Sequence, residues 1–96
     1  MPQSSFEWDE KKDLLNREKH GVSLEDAQNA FDDPTGIIIR DLDHEQGEKR
    51  FFCLGVVEGN VLTVRFSYRS KRIRMYGAGY WRQGRKRYEQ ENQIHR

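Results

Sequence analysis

The clearest pattern in the sequence is an alternation of apolar and polar residues between Val61 and Arg82. In its first half, every second residue is large and apolar: Leu62, Val64, Phe66 and Tyr68. In its second half, Ile73 and Met75 alternate with arginines and a tyrosine. A period of two is typical of a strand with one buried face. The short polar link Tyr68–Lys71 between the halves predicts a β-hairpin.

A helix is predicted over residues 10–19. Asp9 is suited to cap its first turn, because a carboxylate can accept hydrogen bonds from the free N–H groups there. Gly21 can adopt the left-handed conformation that commonly ends a helix. The helix is charged apart from Leu14 and Leu15, and we expect these two leucines to point towards the core.

A second helix is predicted after Ser23, which is suited to be its N-cap. Its apolar residues Leu24, Ala27, Ala30 and Phe31 lie on one helical face. The helix should end at Asp33-Pro34, because the residue before a proline disfavours the α region.

The remaining elements complete an α+β domain. Phe6 to Asp9 is suited to a short edge strand, residues 36–40 and 50–57 to two further strands, and residues 83–93 to a helix. We expect an antiparallel sheet of about four strands plus the short N-terminal strand, with two N-terminal helices and one C-terminal helix packed on one face. A chain of 96 residues forms a single domain, 1–96, with a modest core.

Charge is distributed unevenly along the chain. The net charge is only +1, with 34% of residues charged. However, residues 1–64 carry 7 Lys/Arg against 14 Asp/Glu, and residues 65–96 carry 10 against 2. This asymmetry indicates a basic working surface in the C-terminal third. The alternative is that the two halves neutralise each other in the fold.

Cys53 is the only cysteine and lies in an apolar run, so we expect a buried small side chain and no internal disulfide. The sequence shows neither an apolar leader nor a long apolar segment. We therefore expect a cytoplasmic protein that does not contact a membrane.

The hairpin carries arginines among aromatic residues, a combination that suits the binding of phosphates and bases, so RNA binding and cleavage is a candidate chemistry. Cleavage by attack of the RNA's own 2′-hydroxyl needs only a positioned phosphate, positive charge and two proton transfers. His20, beside Lys19 at a helix end, can pass a proton or bind a phosphate, or it can simply cap the helix. His44 lies among acids but lacks the further ligands that a metal site requires, so we expect no metal and no cofactor.

The segment Tyr80-Trp81-Arg82 also has two interpretations. It can stack bases and grip a phosphate together with Arg65 of the hairpin. Alternatively, Trp81 can pack the last helix onto the sheet.

Several blocks of the sequence resemble the BrnT family in order and spacing. They are Phe6-Glu7-Trp8-Asp9, Lys19-His20-Gly21-Val22-Ser23, Phe31-Asp32-Asp33-Pro34, Arg50-Phe51 with Leu54-Gly55, Arg72-Ile73-Arg74, and Tyr88-Glu89. Members of that family are ribonuclease toxins of type II toxin–antitoxin systems with a RelE-like fold. The resemblance implies RNA cleavage that inhibits translation. It also implies neutralisation by a BrnA-type antitoxin, which typically binds operator DNA.

The resemblance carries over Lys19, His20, Arg72 and Arg74, which we expect to be catalytic. Arg72 and Arg74 would stabilise the phosphorane, and His20 with Lys19 would assist proton transfer. Our interpretation of the hairpin adds a substrate-binding set, namely Arg65, Tyr80, Trp81 and Arg82.

One segment departs from the family pattern. Typical members read Ser-Ala-Arg-x-Ala-Thr after the last strand, whereas this chain has Gly79 in place of that arginine and Arg85 where a glutamate would begin the last helix. Two interpretations therefore stand: an active endoribonuclease, and a catalytically silent relative that binds RNA or the antitoxin.

Overall fold

The structure is a computed structural model that describes residues 5–93. Its fold is of the α+β class that the sequence predicts. The elements are β1 (Ser5–Glu7), α1 (Glu10–His20), α2 (Leu24–Ala27), a 3₁₀ turn (Gln28–Asp32), β2 (Ile37–Arg40), β3 (Phe51–Val57), β4 (Asn60–Arg69), β5 (Arg72–Gly79) and α3 (Arg82–Gln93). The five strands form one sheet in the order β1-β5-β4-β3-β2. None of the helices within residues 5–93 is long and apolar enough to cross a membrane.

The sheet is mixed, so the expectation of an antiparallel sheet is wrong at one edge. β1 runs parallel to β5, with Phe6 opposite Ile73 and Glu7 opposite Arg74, and the other pairs are antiparallel. A tight turn forces two strands to run antiparallel, but β1 and β5 are separated by most of the chain. Their relative direction is set by packing, which the local pattern does not report.

The predicted hairpin is confirmed. β4 and β5 pair antiparallel around a two-residue turn in which Ser70 has a φ of 55°. The register shifts once: Arg65 pairs with Gly77 and Phe66 with Met75, so Tyr76 has no partner across the strands. This bulge re-aims the Tyr76 side chain relative to a regular strand.

One face of the sheet, the core face, packs against α2 and the 3₁₀ turn. Its predicted residues Leu62, Val64 and Phe66 are fully buried. They form one cluster with α2, the 3₁₀ turn and β5, whose members include Leu24, Ala27, Ala30, Ile73 and Met75. Tyr68 is 52% exposed and closes the end of this cluster, with its ring 5.3 Å from that of Phe66.

Cys53 is buried in the core face, as predicted. Its exposure is 2%, and burial raises the pKa of its thiol to about 12. The side chain therefore stays protonated and acts as a small apolar group.

Helix α1 has the predicted ends but not the predicted buried face. The Asp9 carboxylate accepts a hydrogen bond from the N–H of Lys11, and Gly21 is left-handed at φ 70°. Leu14 and Leu15, however, are 52% and 51% exposed, so the expectation that they face the core is wrong. The helix instead buries the polar side chains Asp13 and Asn16.

Asn16 explains why α1 buries its polar face and exposes its leucines. β1 covers only the first part of the edge of β5, which leaves backbone groups near Ala78 without a strand partner. The Asn16 side chain accepts a hydrogen bond from the Ala78 N–H at 3.0 Å and donates to the Ala78 and Val22 carbonyls at 2.8 and 2.9 Å. Leaving a buried backbone N–H or carbonyl without a hydrogen bond costs more free energy than exposing a leucine side chain to water.

The third helix lies on the opposite face of the sheet, which we call the open face and define by Leu54, Thr63, Arg65 and Ser67. Gly84 of α3 sits directly on the side chains of Thr63 and Leu54. The expectation that all helices pack on one face is therefore wrong. The reason is that Leu54 points to this face and needs cover, and α3 provides it.

A polar clamp ties α3 to the body of the domain. The Tyr88 hydroxyl donates to the Asp33 carboxylate at 2.6 Å, and this carboxylate also accepts from the N–H groups of Val56 and Thr35. Partial burial works to raise the pKa of Asp33, but these hydrogen bonds outweigh it and hold the pKa below its ordinary value of 3.8.

We expect Asn16→Ala to destabilise the fold by about 3 kcal/mol, because it leaves buried backbone groups of β5 unpaired. The matched control on the same helix is Leu15→Ala, which should change the free energy of unfolding by less than about 0.5 kcal/mol. Urea denaturation measures both variants. A larger loss for Leu15→Ala would contradict the burial pattern of α1.

We expect Tyr88→Phe to cost about 1.5 kcal/mol at neutral pH, since it removes a hydrogen bond to an ionised group. The pKa of Asp33 is depressed in the folded protein, so its contribution is present above pH 3.8 and lost as the pH falls through the folded pKa. The stability gap between wild type and variant should therefore shrink in acid. A gap that stays constant down to pH 2 would show that Asp33 does not hold Tyr88.

Candidate functional site

A cleft of about 370 Å³ opens on the open face of the sheet, and we call it the basic cleft. Its walls come from α1, the loop between β2 and β3, and the hairpin. It is lined by Lys12, Asp41, His44, Arg50, Phe51, Arg65, Phe66, Arg69, Arg74 and Tyr76. Five of these ten residues are lysine or arginine and one is acidic, so the cleft favours an anion.

Arg65 lies at the centre of this face. It points over Gly77, with Nη2 3.4 Å from the place that a Cβ there would occupy. Within residues 5–93 it forms no salt bridge, and its buried Nε has no hydrogen-bond partner. Even a partly buried guanidinium without an acidic partner is costly, and an anion in the cleft would relieve that cost.

Arg50 is stacked on Tyr76. Its Cζ lies 3.9 Å from the centre of the Tyr76 ring, and its own buried Nε also lacks a partner among the described residues. The Tyr76 hydroxyl is fixed in turn by Ser67 at 2.7 Å and by Glu48 at 3.0 Å. The hydrogen bond from Tyr76, followed by that from Arg69, lowers the pKa of Glu48. The ionised Glu48 thus anchors the loop between β2 and β3 onto the open face.

Arg72 and Arg74 are held by one acid. The two oxygens of Glu7 accept from Arg72 at 3.0 Å and from Arg74 at 3.2 Å, and the pKa of Glu7 is lowered, mainly by the bond from Arg72. Arg74 is 25% exposed and lines the basic cleft, whereas Arg72 is 59% exposed and lies outside it. The parallel pairing of β1 with β5 therefore fixes the arginine that reaches the cleft.

A carboxylate and an imidazole form a pair at the wall of the cleft. His44 Nδ1 lies 2.9 Å from Oδ2 and 3.1 Å from Oδ1 of Asp41. Asp41 is 4% exposed, while the His44 side chain is 59% exposed and lines the cleft. The carboxylate orients the ring through Nδ1 and leaves Nε2 available for a proton transfer.

A second cavity of about 400 Å³ adjoins the basic cleft, and we call it the aromatic groove. It is lined by Ile39, Phe52, Leu54, Thr63, Arg65, Trp81, Gln83, Gly84 and Arg87. Arg65 lines both cavities, and its guanidinium lies 5.8 Å from the centre of the Trp81 ring. The two cavities therefore form one continuous surface around Arg65.

The structure divides the predicted catalytic residues into two separate pairs, Arg72 with Arg74 on Glu7 and Lys19 with His20. Lys19 and His20 lie at the end of α1, where the His20 ring makes an edge-to-face contact with Trp81 at 5.2 Å. Arg72 begins β5 and Gly79, beneath Trp81, ends it. Seven residue steps of strand separate these ends, roughly 23 Å. Neither Lys19 nor His20 lines either cavity.

The predicted substrate-binding residues also separate. Arg65 and Trp81 meet in the aromatic groove. Tyr80 lies beside the end of β3, where its hydroxyl donates a hydrogen bond to the Val57 carbonyl at 3.3 Å. Burial raises the pKa of the Tyr80 hydroxyl. Arg82 is exposed at the start of α3 and lines neither cavity.

The sequence analysis missed several residues of the site. Lys12 reaches the cleft from α1, and nothing in the local pattern marks it. Arg50 reaches the cleft from the start of β3; it belongs to a block that resembles the family, but no role was expected for it. The spacing of Asp41 and His44, three residues apart in one loop, was a usable signal for an oriented imidazole. Within the part of the chain described here, no three His, Cys, Asp or Glu residues cluster as metal ligands would.

We expect Gly79→Ala to displace Trp81 and to destabilise the fold by about 2 kcal/mol, because a Cβ there would lie 2.5 Å from the indole ring. Gly77→Ala is the matched control on the same strand, since its Cβ would meet its nearest neighbours at 3.4 Å. Near-ultraviolet circular dichroism and urea denaturation measure the two effects. Equal behaviour of the variants would contradict the placement of Trp81 over Gly79.

Comparison with known proteins connects this geometry to a family. The family model described as the ribonuclease toxin BrnT of type II toxin–antitoxin systems matches residues 8–84. That range contains every residue that lines the basic cleft. No curated protein matches the chain. Since the family model spans most of the sequence, the chain belongs to the BrnT family of ribonuclease toxins of type II toxin–antitoxin systems.

Proposed function

We propose that this toxin is a metal-independent endoribonuclease that cleaves RNA in the basic cleft. In this reaction the 2′-hydroxyl of the RNA attacks the adjacent phosphate, giving a 2′,3′-cyclic phosphate and a free 5′-hydroxyl. The observation that carries the proposal is the convergence of two features in one cleft: Arg65, which has no acidic partner within residues 5–93, and the Asp41–His44 pair. The first provides charge for a phosphate and the second a proton acceptor.

Arg65 and Arg74 bind the scissile phosphate in this mechanism. Both line the cleft, and both are held before substrate arrives, Arg74 by Glu7 and Arg65 by its packing over Gly77. Charges fixed in advance stabilise the phosphorane without further reorganisation. Arg50, stacked on Tyr76, adds positive charge beside them.

The two proton transfers need a base and an acid. His44, oriented by Asp41, accepts the proton of the attacking 2′-hydroxyl. Two side chains of the cleft can protonate the leaving 5′-oxygen, Lys12 and Tyr76. Lys12 is the better donor, because the Tyr76 hydroxyl is already bound to Ser67 and Glu48.

This mechanism changes the roles expected from the family resemblance. Arg74 keeps its role at the phosphate. Arg72 acts through Glu7 by sharing the carboxylate that holds Arg74. Lys19 and His20 serve the RNA path beyond Trp81 rather than the reacting phosphate.

Membership of the family implies an antitoxin protein as partner. We propose that this partner is of the BrnA type, that it binds operator DNA, and that it inhibits the toxin in the cytoplasm by covering the basic cleft. An acidic segment suits this surface, because Lys12, Arg50 and Arg65 have no salt-bridge partner within residues 5–93. Cleavage of RNA would then arrest translation once the antitoxin is lost.

One observation favours the second candidate function, a silent relative that only binds RNA or antitoxin. The position where typical members carry an arginine is Gly79, and the space beside it is filled by Trp81. If that arginine is indispensable to the reaction, this chain would bind without cleaving. The same assay separates the two functions.

We expect the purified protein to cleave labelled single-stranded RNA in EDTA and to leave 2′,3′-cyclic phosphate ends. Arg65→Gln should slow cleavage about 10²- to 10³-fold, because it removes charge that stabilises the transition state. His44→Gln should slow it about 10²- to 10⁴-fold, since it removes the general base. Single-turnover rates measure each variant.

Two comparisons make this assay decisive. Arg85→Gln changes an exposed arginine of α3 outside both cavities and should leave the rate unchanged. His20→Gln places the same substitution at the other candidate histidine. A large loss there with none in His44→Gln would return proton transfer to the end of α1. Wild-type protein that binds RNA tightly without cutting it would establish the silent relative.

A further inference from the structure

The aromatic groove has no role in the mechanism above, which uses only the basic cleft. Its floor is apolar, formed by Ile39 of β2 and by Phe52 and Leu54 of β3, and Trp81 lies across from them. Two arginines flank it, Arg65 on the side of the cleft and Arg87 on α3. A cavity with aromatic and apolar walls next to a phosphate site fits a planar group that is attached to a phosphate.

We propose that the aromatic groove is a nucleobase subsite, which binds the base next to the phosphate that Arg65 holds. This inference rests on the proposed function, because it takes that phosphate as its reference point. The base stacks on the aromatic surfaces of Phe52 and Trp81 and remains linked through its sugar to the phosphate in the cleft.

Continuity through Arg65 is the first argument. The same guanidinium lines both cavities and lies 5.8 Å from the centre of the Trp81 ring. One nucleotide carries its base and its phosphate on a single sugar, so the two parts need adjoining sites of opposite character. Here a basic site and an aromatic site share one residue.

Unsatisfied polar groups are the second argument. Thr63 is 5% exposed and lines the groove, and its Oγ1 has no hydrogen-bond partner among the described residues. Arg65 Nε likewise has no hydrogen-bond partner among the described residues. The exposed Gln83 side chain also lines the groove and offers an amide. Gly84 covers the Thr63 hydroxyl, so the polar groups that remain within reach of a base are the Arg65 guanidinium and the Gln83 amide. A base edge presents both donors and acceptors and can pair with them, whereas a purely apolar occupant cannot.

The departure from the family pattern is the third argument. Trp81 reaches the groove because Gly79 has no side chain, since any Cβ there would collide with the indole. The His20 ring also packs against the indole in an edge-to-face contact, with the ring centres 5.2 Å apart. The indole is thus held in a fixed position before a ligand arrives, which lowers the entropy cost of stacking.

The test uses RNA that binds but cannot react. In a Trp8→Phe background, Trp81 is the only tryptophan, so its fluorescence reports on the groove alone. A short single-stranded oligonucleotide with 2′-O-methyl groups lacks the nucleophile and cannot be cleaved. It should quench Trp81 on binding. Its abasic counterpart, which keeps the phosphates, should bind more weakly and quench little.

Phe52→Ala should weaken binding of the base-bearing oligonucleotide about 5- to 100-fold and leave binding of the abasic one unchanged. Val56→Ala is the matched control, because Val56 lies on the same strand and the same face but lines neither cavity. Urea denaturation of both variants verifies that each is folded.

The outcomes separate the subsite from the nuclease. Wild-type cleavage together with unchanged Trp81 fluorescence would overturn the subsite and leave the ribonuclease intact. Such a result would point to an antitoxin side chain as the occupant of the groove. Equal losses for base-bearing and abasic RNA in Phe52→Ala would also overturn it. Quenching that Phe52→Ala abolishes would support the subsite even if the protein cut no RNA.

Discussion

The position of α1 depends on a single side chain that completes the edge of β5. Asn16 supplies the hydrogen bonds that a neighbouring strand would otherwise provide to Ala78, and it also binds the Val22 carbonyl. Everything that α1 contributes to function follows from that attachment. Lys12 reaches the basic cleft one turn before Asn16, and His20 meets Trp81 one turn after it. A polar residue in the middle of a helix therefore sets the distance between the two ends of the site.

The electrostatics of the open face divide its arginines into two groups. Arg69, Arg72 and Arg74 are each bound by a glutamate and gain orientation from it. Arg50 and Arg65 are instead placed by aromatic rings and glycine, so their charge is not neutralised within the described part of the chain. The arginines bound by glutamates hold fixed positions on the face. The uncompensated charge of Arg50 and Arg65 instead favours the binding of an anion. The net charge of +1 hides this division.

Local patterns in the sequence predicted the local features of the fold. Helix caps at Asp9 and Ser23, the hairpin, and the alternation of β4 all depend on neighbours within a few residues, and all are present. Features set by distant partners were missed. The parallel direction of β1, the exposure of Leu14 and Leu15, and the face covered by α3 depend on where the sheet leaves groups unsatisfied. The candidate site divides in the same way. The hairpin pattern predicts Arg65 and Trp81, and the spacing of Asp41 and His44 is also local, whereas Lys12 and Arg50 reach the basic cleft only through the fold.

The contact between Gly79 and Trp81 makes the two positions epistatic. The indole occupies the volume that any side chain at position 79 would need. A side chain at position 79 and an indole in this place therefore exclude each other. The effect of a substitution at either position depends on the residue at the other, so the two positions vary as one unit rather than independently.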